Sequence, residues 1–336
     1  MRIRKLLRVR FVVYSFTEQE KIMAELTPMM QKYMETKEQY KDCILFYRLG
    51  DFYEMFFDDA LVASKELEIT LTGKSCGLEE RAPMCGIPYH AVEGYLSKLV
   101  SRGYKVAICE QVEDPKLAKG LVKREVIRVV TPGTNLNVQS LEAGKNNYLL
   151  SIAYTPDGIG ISAADVTTGD YYVTEVEDLK KLNDELMKYE PSEIICNEAF
   201  LVSGFDVNDL KSRLHISVNA LESHMFDDDG CRRILMKHFK VNTLIGLGVE
   251  EFPTGLLAAG ALLQYLYDTQ KTDLEHFTHI YPYLTSKYML LDSSTRRNLE
   301  LTETLREKQK RGSLLWVLDK TKTAMGARLL RNYIEH

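Results

Sequence analysis

The stretch that decides the architecture is Leu45-Phe46-Tyr47-Arg48-Leu49-Gly50-Asp51-Phe52-Tyr53-Glu54-Met55-Phe56. Its first half is apolar and predicts a short buried strand that Gly50 ends. Asp51 to Glu54 has the form of a capping box, which predicts a helix from Asp51 to about Leu67. A ring beside such a break can face outward, and a helix start favours an anion. From the residues alone, Phe52 is equally well explained as core and Glu54 as a capping partner.

The surrounding residues predict a first domain of mixed α and β structure. Thr27-Pro28 is typical of a helix start. Further elements predicted in this domain are a helix to about residue 39, strands at 68–72, 83–88, 104–110 and 125–130, and a helix over 90–102 that Gly103 ends. Thr131-Pro132-Gly133 closes the domain.

The pattern changes at Asn147. Three strands joined by turn residues predict an antiparallel meander over residues 148–154, 159–166 and 171–176. Later segments add a helix over 179–189, a strand over 193–196, and helices over 229–239 and 254–269. Beyond residue 281 the spacing is helical over 295–305 and 313–333. We therefore divide the chain into an N-terminal extension (1–22), a mixed domain (23–134), an α/β domain (141–280) and the beginning of a truncated all-helical domain (281–336).

Composition excludes several classes of protein. The chain has 336 residues, of which 45% are hydrophobic and 27% charged. No window approaches the roughly 18 apolar residues of a membrane span, and residues 1–22 lack the form of a signal peptide. The six cysteines form no Cys-x-x-Cys pair. We therefore expect a cytoplasmic protein with reduced thiols, no zinc site and no membrane partner.

Charge is unevenly distributed along the chain. The net charge is −5, and residues 133–280 hold 11 Lys and Arg against 23 Asp and Glu. Such an acidic segment is unsuited to gripping a phosphate backbone. We expect it to have a different task.

Two motifs come close to catalytic or nucleotide-binding patterns. Gly73-Lys74-Ser75 matches the end of a phosphate loop, but Glu68 stands where that motif needs a glycine. We therefore expect a surface turn whose lysine is available for phosphate. Asp165 and Asp170 lie where an RNase H-like nuclease would hold metal ions, although acids on turns are usually only solvated. We predict no catalytic residue, no cofactor site and no metal site in this chain.

Leu45 to Phe57 resembles the mismatch-reading loop of the MutS family of DNA mismatch-recognition proteins. Further matching stretches follow in the same order: residues 86–92 with Tyr95-Leu96, then 106–111, 129–134, 296–301, and 318–321 to Met325-Gly326. The resemblance covers residues 23–336. It implies a multi-domain α/β protein with a mixed α+β mismatch-binding domain, an RNase H-like connector and the opening of a helical lever domain.

The resemblance also implies a function and a site. The family binds mismatched or unpaired bases in duplex DNA and so initiates mismatch repair. Its Phe-x-Glu pair maps onto Phe52 as a wedge and Glu54 as a hydrogen-bonding group. Arg48, Lys74 and Met84 are then expected to contact the DNA backbone or groove.

Partners and cofactors follow from the same resemblance. The connector would bind a MutL-type partner, and full-length family members form homodimers. ATP and magnesium are expected only for a C-terminal ATPase domain outside this chain, so the chain itself is not expected to be an enzyme. Two alternatives stay open: a connector-only protein-interaction fragment and an RNase H-like nuclease.

Overall fold

A computed structural model describes residues 25–113, 120, 122–136, 144–285 and 291–335. The chain divides into two compact units, Met1–Thr131 and Pro132–His336. The proposed extension over residues 1–22 lies outside the described residues. Each unit is built around its own six-stranded sheet.

The first unit is a mixed sheet with helices on both faces. Its elements are α1 (Pro28–Gln39), β1 (Cys43–Leu49), β2 (Phe52–Phe56), α2 (Phe57–Leu67), β3 (Thr72–Lys74), β4 (Ala82–Pro88), α3 (Val92–Val100), β5 (Lys105–Gln111) and β6 (Arg124–Val130). The strands lie in the order β3-β4-β2-β1-β5-β6. Among the strands of this unit that the structure describes, only β1 and β5 are parallel neighbours.

Successive side chains along each strand point to opposite faces of the sheet, and each face has its own hydrophobic core. On one face, Phe46 and Met55 pack with residues of α2 and α3. On the other, Tyr47 and Phe56 pack with Tyr33 of α1. This two-face arrangement follows from the period-2 geometry of strands, and it determines on which side each candidate site residue lies.

The predicted helix from Asp51 is wrong in its first turn. Residues Phe52–Phe56 form strand β2, and helix α2 begins only at Phe57. Leu49 pairs directly with Phe52, so Gly50 and Asp51 form a two-residue hairpin turn. Gly50 has φ +58, and a glycine with positive φ at this position is typical of hairpin turns. Pairing with both β1 and β4 outweighs the local capping signal.

Other predictions in the first unit need smaller corrections. No strand covers residues 68–71; Glu68 instead ends α2 in the left-handed region, and the strand is confined to Thr72–Lys74. A 3₁₀ turn over Tyr89–Ala91 precedes α3. Gly103, with φ +84, follows the end of α3 as predicted.

The second unit begins with the predicted meander. Its elements are β7 (Tyr148–Thr155), β8 (Gly158–Asp165), β9 (Asp170–Val176), α4 (Leu179–Tyr189), β10 (Glu193–Cys196), α5 (Glu198–Leu201), α6 (Val207–Ser212), β11 (Ser217–Ala220), α7 (Asp228–Phe239), α8 (Pro253–Gln270), β12 (Tyr281–Pro282), α9 (Ser293–Asn298), α10 (Leu314–Leu318) and α11 (Ala324–Glu335). The strand order is β11-β10-β7-β8-β9-β12. β7, β8 and β9 are antiparallel, whereas β10 runs parallel to β7 and β11. This topology agrees with the RNase H-like α/β domain that the resemblance implies.

Helix α8 is the central element of this unit's packing. It is buried along most of its length. Its N-terminal Thr254 and Gly255 N–H groups donate to the Glu175 carboxylate at 2.6 and 2.9 Å. A Cβ on Gly160 would lie 2.0 Å from the Thr254 carbonyl oxygen, so β8 accepts only glycine there. The helix is thereby fixed against the sheet.

The two long helices predicted near the C-terminus are shorter than expected. α9 ends at Asn298, and Glu300 has φ +46, which stops further helical turns. The second prediction splits into α10 and α11. Asp319 accepts from the Thr321 N–H at 2.9 Å, and the Thr323 hydroxyl accepts from the Gly326 N–H at 3.1 Å. These local side-chain bonds compete with the helix and break it.

The six cysteines are free and buried. Burial raises the pKa of Cys43 and Cys231, for example, to about 12, so these thiols stay protonated at neutral pH. Within the described ranges, no helix has the length and apolar character needed to span a bilayer.

Candidate functional site

Phe52 and Glu54 lie on the same face of strand β2. Strand geometry places alternate side chains on one side, about 6.6 Å apart. Phe52 is the most exposed residue of the strand, with 47% of its surface accessible, whereas Phe56 further along the same face is 1% exposed and belongs to the core. On this face, β2 thus begins with the exposed Phe52 ring beside the Glu54 carboxylate and ends in the core at Phe56.

Gly86 of β4 keeps the space beside this pair open. It is the direct strand partner of Glu54. A Cβ at Gly86 would lie 3.6 Å from Glu54 Cγ and 3.8 Å from Phe52 Cδ1, which is ordinary contact distance. The glycine therefore leaves a methyl-sized notch between ring and carboxylate. Sequence reasoning missed it, although an isolated glycine within a strand signals close approach of another group.

Lys74 joins the pair from edge strand β3. Its Nζ lies 2.6 Å from the Glu54 carboxylate and 5.6 Å from the centre of the Phe56 ring. Gly73-Lys74-Ser75 is therefore no phosphate loop, because Thr72–Lys74 is an edge strand and the lysine already has a carboxylate partner. The ion pair is partly exposed, so its net stabilisation is about 0–1 kcal/mol.

Met84 shares this face as well. It pairs with Phe56 across β2 and β4 and with Thr72 across β3 and β4. Its sulfur lies 3.6 Å from the Thr72 hydroxyl, and the side chain is partly buried against the α1 core. Four of the five residues singled out from the sequence, namely Phe52, Glu54, Lys74 and Met84, thus come together on one surface.

Arg48 lies on the opposite face of the sheet. It pairs with Tyr53 across the hairpin, and Tyr53 belongs to the core under α2 and α3. The guanidinium lies 3.7 Å from the centre of the Tyr89 ring, and its Nη1 donates to Glu110 at 3.3 Å. The sequence did not indicate these partners, because they come from separate segments of the chain.

The acidic pair Asp165 and Asp170 does not resemble a metal centre. The Asp165 carboxylate is fully buried and accepts from the Asn147 N–H at 3.0 Å and from the Thr167 N–H and hydroxyl at 2.7 Å. Burial raises the pKa of Asp165 although these donors favour its charged form. Its oxygens are occupied by internal donors. Within the described ranges, no three His, Cys, Asp or Glu side chains are grouped so as to hold a metal ion.

Comparison with known protein families matches three parts of the chain to domains of one family. Residues 27–139 match MutS domain I, residues 147–278 match MutS domain II, and residues 294–336 match MutS domain III. The chain belongs to the MutS family.

Individual relatives agree with this family assignment. The chain is 70% identical over 313 residues to the DNA mismatch repair protein MutS of Lachnoclostridium phytofermentans, covering 93% of this chain and 34% of the relative. Its identity to the proteins of the same name from Ruminiclostridium cellulolyticum and Acetivibrio thermocellus is 55% and 54%, covering 93% of this chain and 36% of each relative. The chain therefore spans about a third of the length of these relatives. The surface with Phe52 and Glu54 lies in the part that matches domain I.

Proposed function

We propose that this chain reads mismatched or unpaired bases in duplex DNA, as the recognition and connector part of a mismatch repair protein. The observation that carries the proposal is the half-exposed Phe52 ring on the same strand face as the Glu54 carboxylate. An apolar ring inserted from the minor groove unstacks a base step at a cost of a few kcal/mol. That cost is lowest where pairing is already poor. Phe52 therefore tests how easily the duplex deforms, which is indirect readout.

Glu54 adds a chemical test to this mechanical one. An ionised carboxylate only accepts hydrogen bonds, so Glu54 can accept from a thymine ring N–H and must take up a proton to meet a purine ring nitrogen. The same negative charge repels paired DNA and so sharpens discrimination.

Lys74 lets the carboxylate approach the duplex. In the free protein it neutralises Glu54 at 2.6 Å. Because this partly exposed pair contributes little, a DNA phosphate can take over the lysine at low cost and leave Glu54 for the base. Met84, on the same face, supplies an adaptable apolar contact in the groove.

The second unit has a different role in this proposal. Its acidic connector, residues 141–280, faces a protein, of MutL type, rather than DNA. ATP with magnesium, and the main homodimer contacts, belong to regions of MutS proteins outside the three matched domains. The chain itself binds DNA and performs no catalytic step.

The test is fluorescence anisotropy of a short duplex with and without a central G·T mismatch, at two salt concentrations. We expect this chain to prefer the mismatch and Phe52→Ala to lose the preference. Leu61→Ala is the matched control, because Leu61 is an apolar residue of α2 with a similar exposure of 41%. Equal affinity for both duplexes, unaffected by Phe52→Ala, would contradict the wedge.

A second variant tests the carboxylate. Glu54→Gln should tighten binding to perfectly paired DNA because it removes a negative charge from the contact surface. Glu125→Gln on β6, three strands away from β2, removes a charge elsewhere on the same unit. If homoduplex affinity is unchanged in Glu54→Gln, or rises equally in both variants, Glu54 has no specific repulsive role.

A further inference from the structure

A cluster of charged and aromatic side chains lies behind the hairpin that carries Phe52. It consists of Arg48, Tyr53, Tyr89 and Glu110, on the sheet face opposite to Phe52 and Glu54. The Arg48 guanidinium stacks on Tyr89 at 3.7 Å and donates to Glu110 at 3.3 Å. The Tyr53 hydroxyl donates to the same Glu110 carboxylate. Burial and this hydrogen bond raise the pKa of Tyr53, so it remains a donor.

Two bonds connect the cluster to the hairpin turn itself. Arg48 Nε donates to the Gly50 carbonyl at 2.5 Å, and the Tyr89 N–H donates to the Asp51 carbonyl at 3.0 Å. Both residues of the two-residue turn are therefore held by groups that also contact one another. Phe52 follows this turn directly.

The Arg48 contacts combine ring stacking with two directed hydrogen bonds. One face of its plane lies over Tyr89, and its N–H groups reach a carboxylate of β5 and the turn. Only 16% of the Arg48 side chain is exposed, although Arg is among the least buried residue types. Lysine has a single point of charge and no planar fork, so it cannot make this combination of contacts.

We propose that Arg48 is a positioning residue that fixes the β1–β2 turn against the load on Phe52, and that it does so without touching DNA. The inference rests on the proposed wedge function. A ring that unstacks bases transmits an opposing force to its own hairpin, and a hairpin end yields unless other elements hold it. Arg48 ties that end to β5 and to the turn that follows β4.

The positioning role differs from a phosphate contact in three measurable ways. We would compare Arg48→Met and Arg48→Lys, each with Phe52 intact and with Phe52→Ala, on G·T and paired duplexes over a range of salt. We expect both Arg48 variants to lower the mismatch preference about fivefold or more and to change homoduplex affinity less than about twofold. Neither variant should have a further effect in the Phe52→Ala background, and the salt dependence should be unchanged.

The opposite results would overturn the proposal. A lost phosphate contact weakens binding to both duplexes together, reduces the salt slope by about 1 and persists without the Phe52 ring. In that case Arg48→Lys, which keeps the charge, would also behave like the unaltered chain.

A measurement without DNA separates this inference from the proposed function. Amide hydrogen exchange around Gly50 to Tyr53 should accelerate severalfold in Arg48→Met, while exchange of Leu45 to Tyr47 in the same strand stays unchanged. Unaltered exchange at the turn would refute the positioning role whatever the DNA result. Faster exchange in a chain that shows no mismatch preference would confirm that Arg48 holds the turn and would refute only the DNA-reading function.

Discussion

Phe52 and Phe56 offer an internal comparison between an exposed ring and a buried ring. They lie four residues apart on the same face of β2, yet their exposed fractions are 47% and 1%. The Phe56 ring packs edge-on against Tyr33, with 4.9 Å between ring centres. Replacing a buried phenylalanine by alanine costs about 3–5 kcal/mol. Full burial of such a side chain contributes about 1.5–3 kcal/mol. Replacing the half-buried Phe52 by alanine should therefore lower the free energy of unfolding by only about 1 kcal/mol.

The single tryptophan of the chain, Trp316, lies in the second unit, so its fluorescence does not report on unfolding of the first unit. The assay must therefore follow the first unit directly. Hydrogen exchange of β1 amides in increasing urea reports on the first unit alone. If the free energy of unfolding falls by about 2 kcal/mol per molar urea, Phe56→Ala should lower the urea concentration at the unfolding midpoint by roughly 2 M and Phe52→Ala by about 0.5 M. Equal losses for both variants would refute the view that Phe52 is held outside the core.

Three further predictions follow from the structure. Gly86→Ala should leave the first unit's stability nearly unchanged but reduce mismatch preference, because the methyl group fills the notch between Phe52 and Glu54. Urea titration would measure the stability and anisotropy the preference. An unchanged preference would show that the notch is unused. Asp165→Asn should lower the second unit's free energy of unfolding by about 1–3 kcal/mol, because the amide N–H₂ would face N–H donors that now bond to a carboxylate oxygen. An equally stable variant would contradict this account. Burial raises the pKa of Asp59 despite its ion pair with Lys37, so folding favours the protonated carboxyl. The stability that this proton uptake contributes is complete below the unfolded pKa and is lost as pH rises through the folded one. Urea titrations between about pH 3 and 7 should therefore show this loss of stability with rising pH in the unaltered chain and not in Asp59→Asn.

Elements that depend on local signals could be predicted from the sequence. Asp178 caps α4 by accepting from the Lys181 N–H, and the predicted bounds, Leu179–Tyr189, agree with the structure. The meander was also predictable, because the turn-forming residues Pro156, Asp157 and Gly169 separate its strands, and Gly169 has φ +79. In each case the residues that determine the element lie within a few positions of it.

Elements that depend on distant partners could not be predicted in this way. Thr72–Lys74 is a strand only because β4 lies beside it. Arg48 was selected from the sequence as a possible DNA contact, but Tyr89 and Glu110, which surround it, come from two other segments. The sequence could show that Arg48 stands near Phe52 in the chain, but not that the sheet separates them.

The wrong prediction of a helix at Asp51 bears directly on the proposed function. Asp51 and Glu54 satisfy the capping pattern, but β1 and β4 provide hydrogen bonds on both sides of Phe52–Phe56 and make it an inner strand. On a helix, residues i and i+2 do not face each other, so Phe52 and Glu54 would point in different directions. On the strand they face the same side beside Gly86. The strand pairing that overrides the local helix signal is thus the same pairing that brings ring and carboxylate together on the surface that we propose reads DNA.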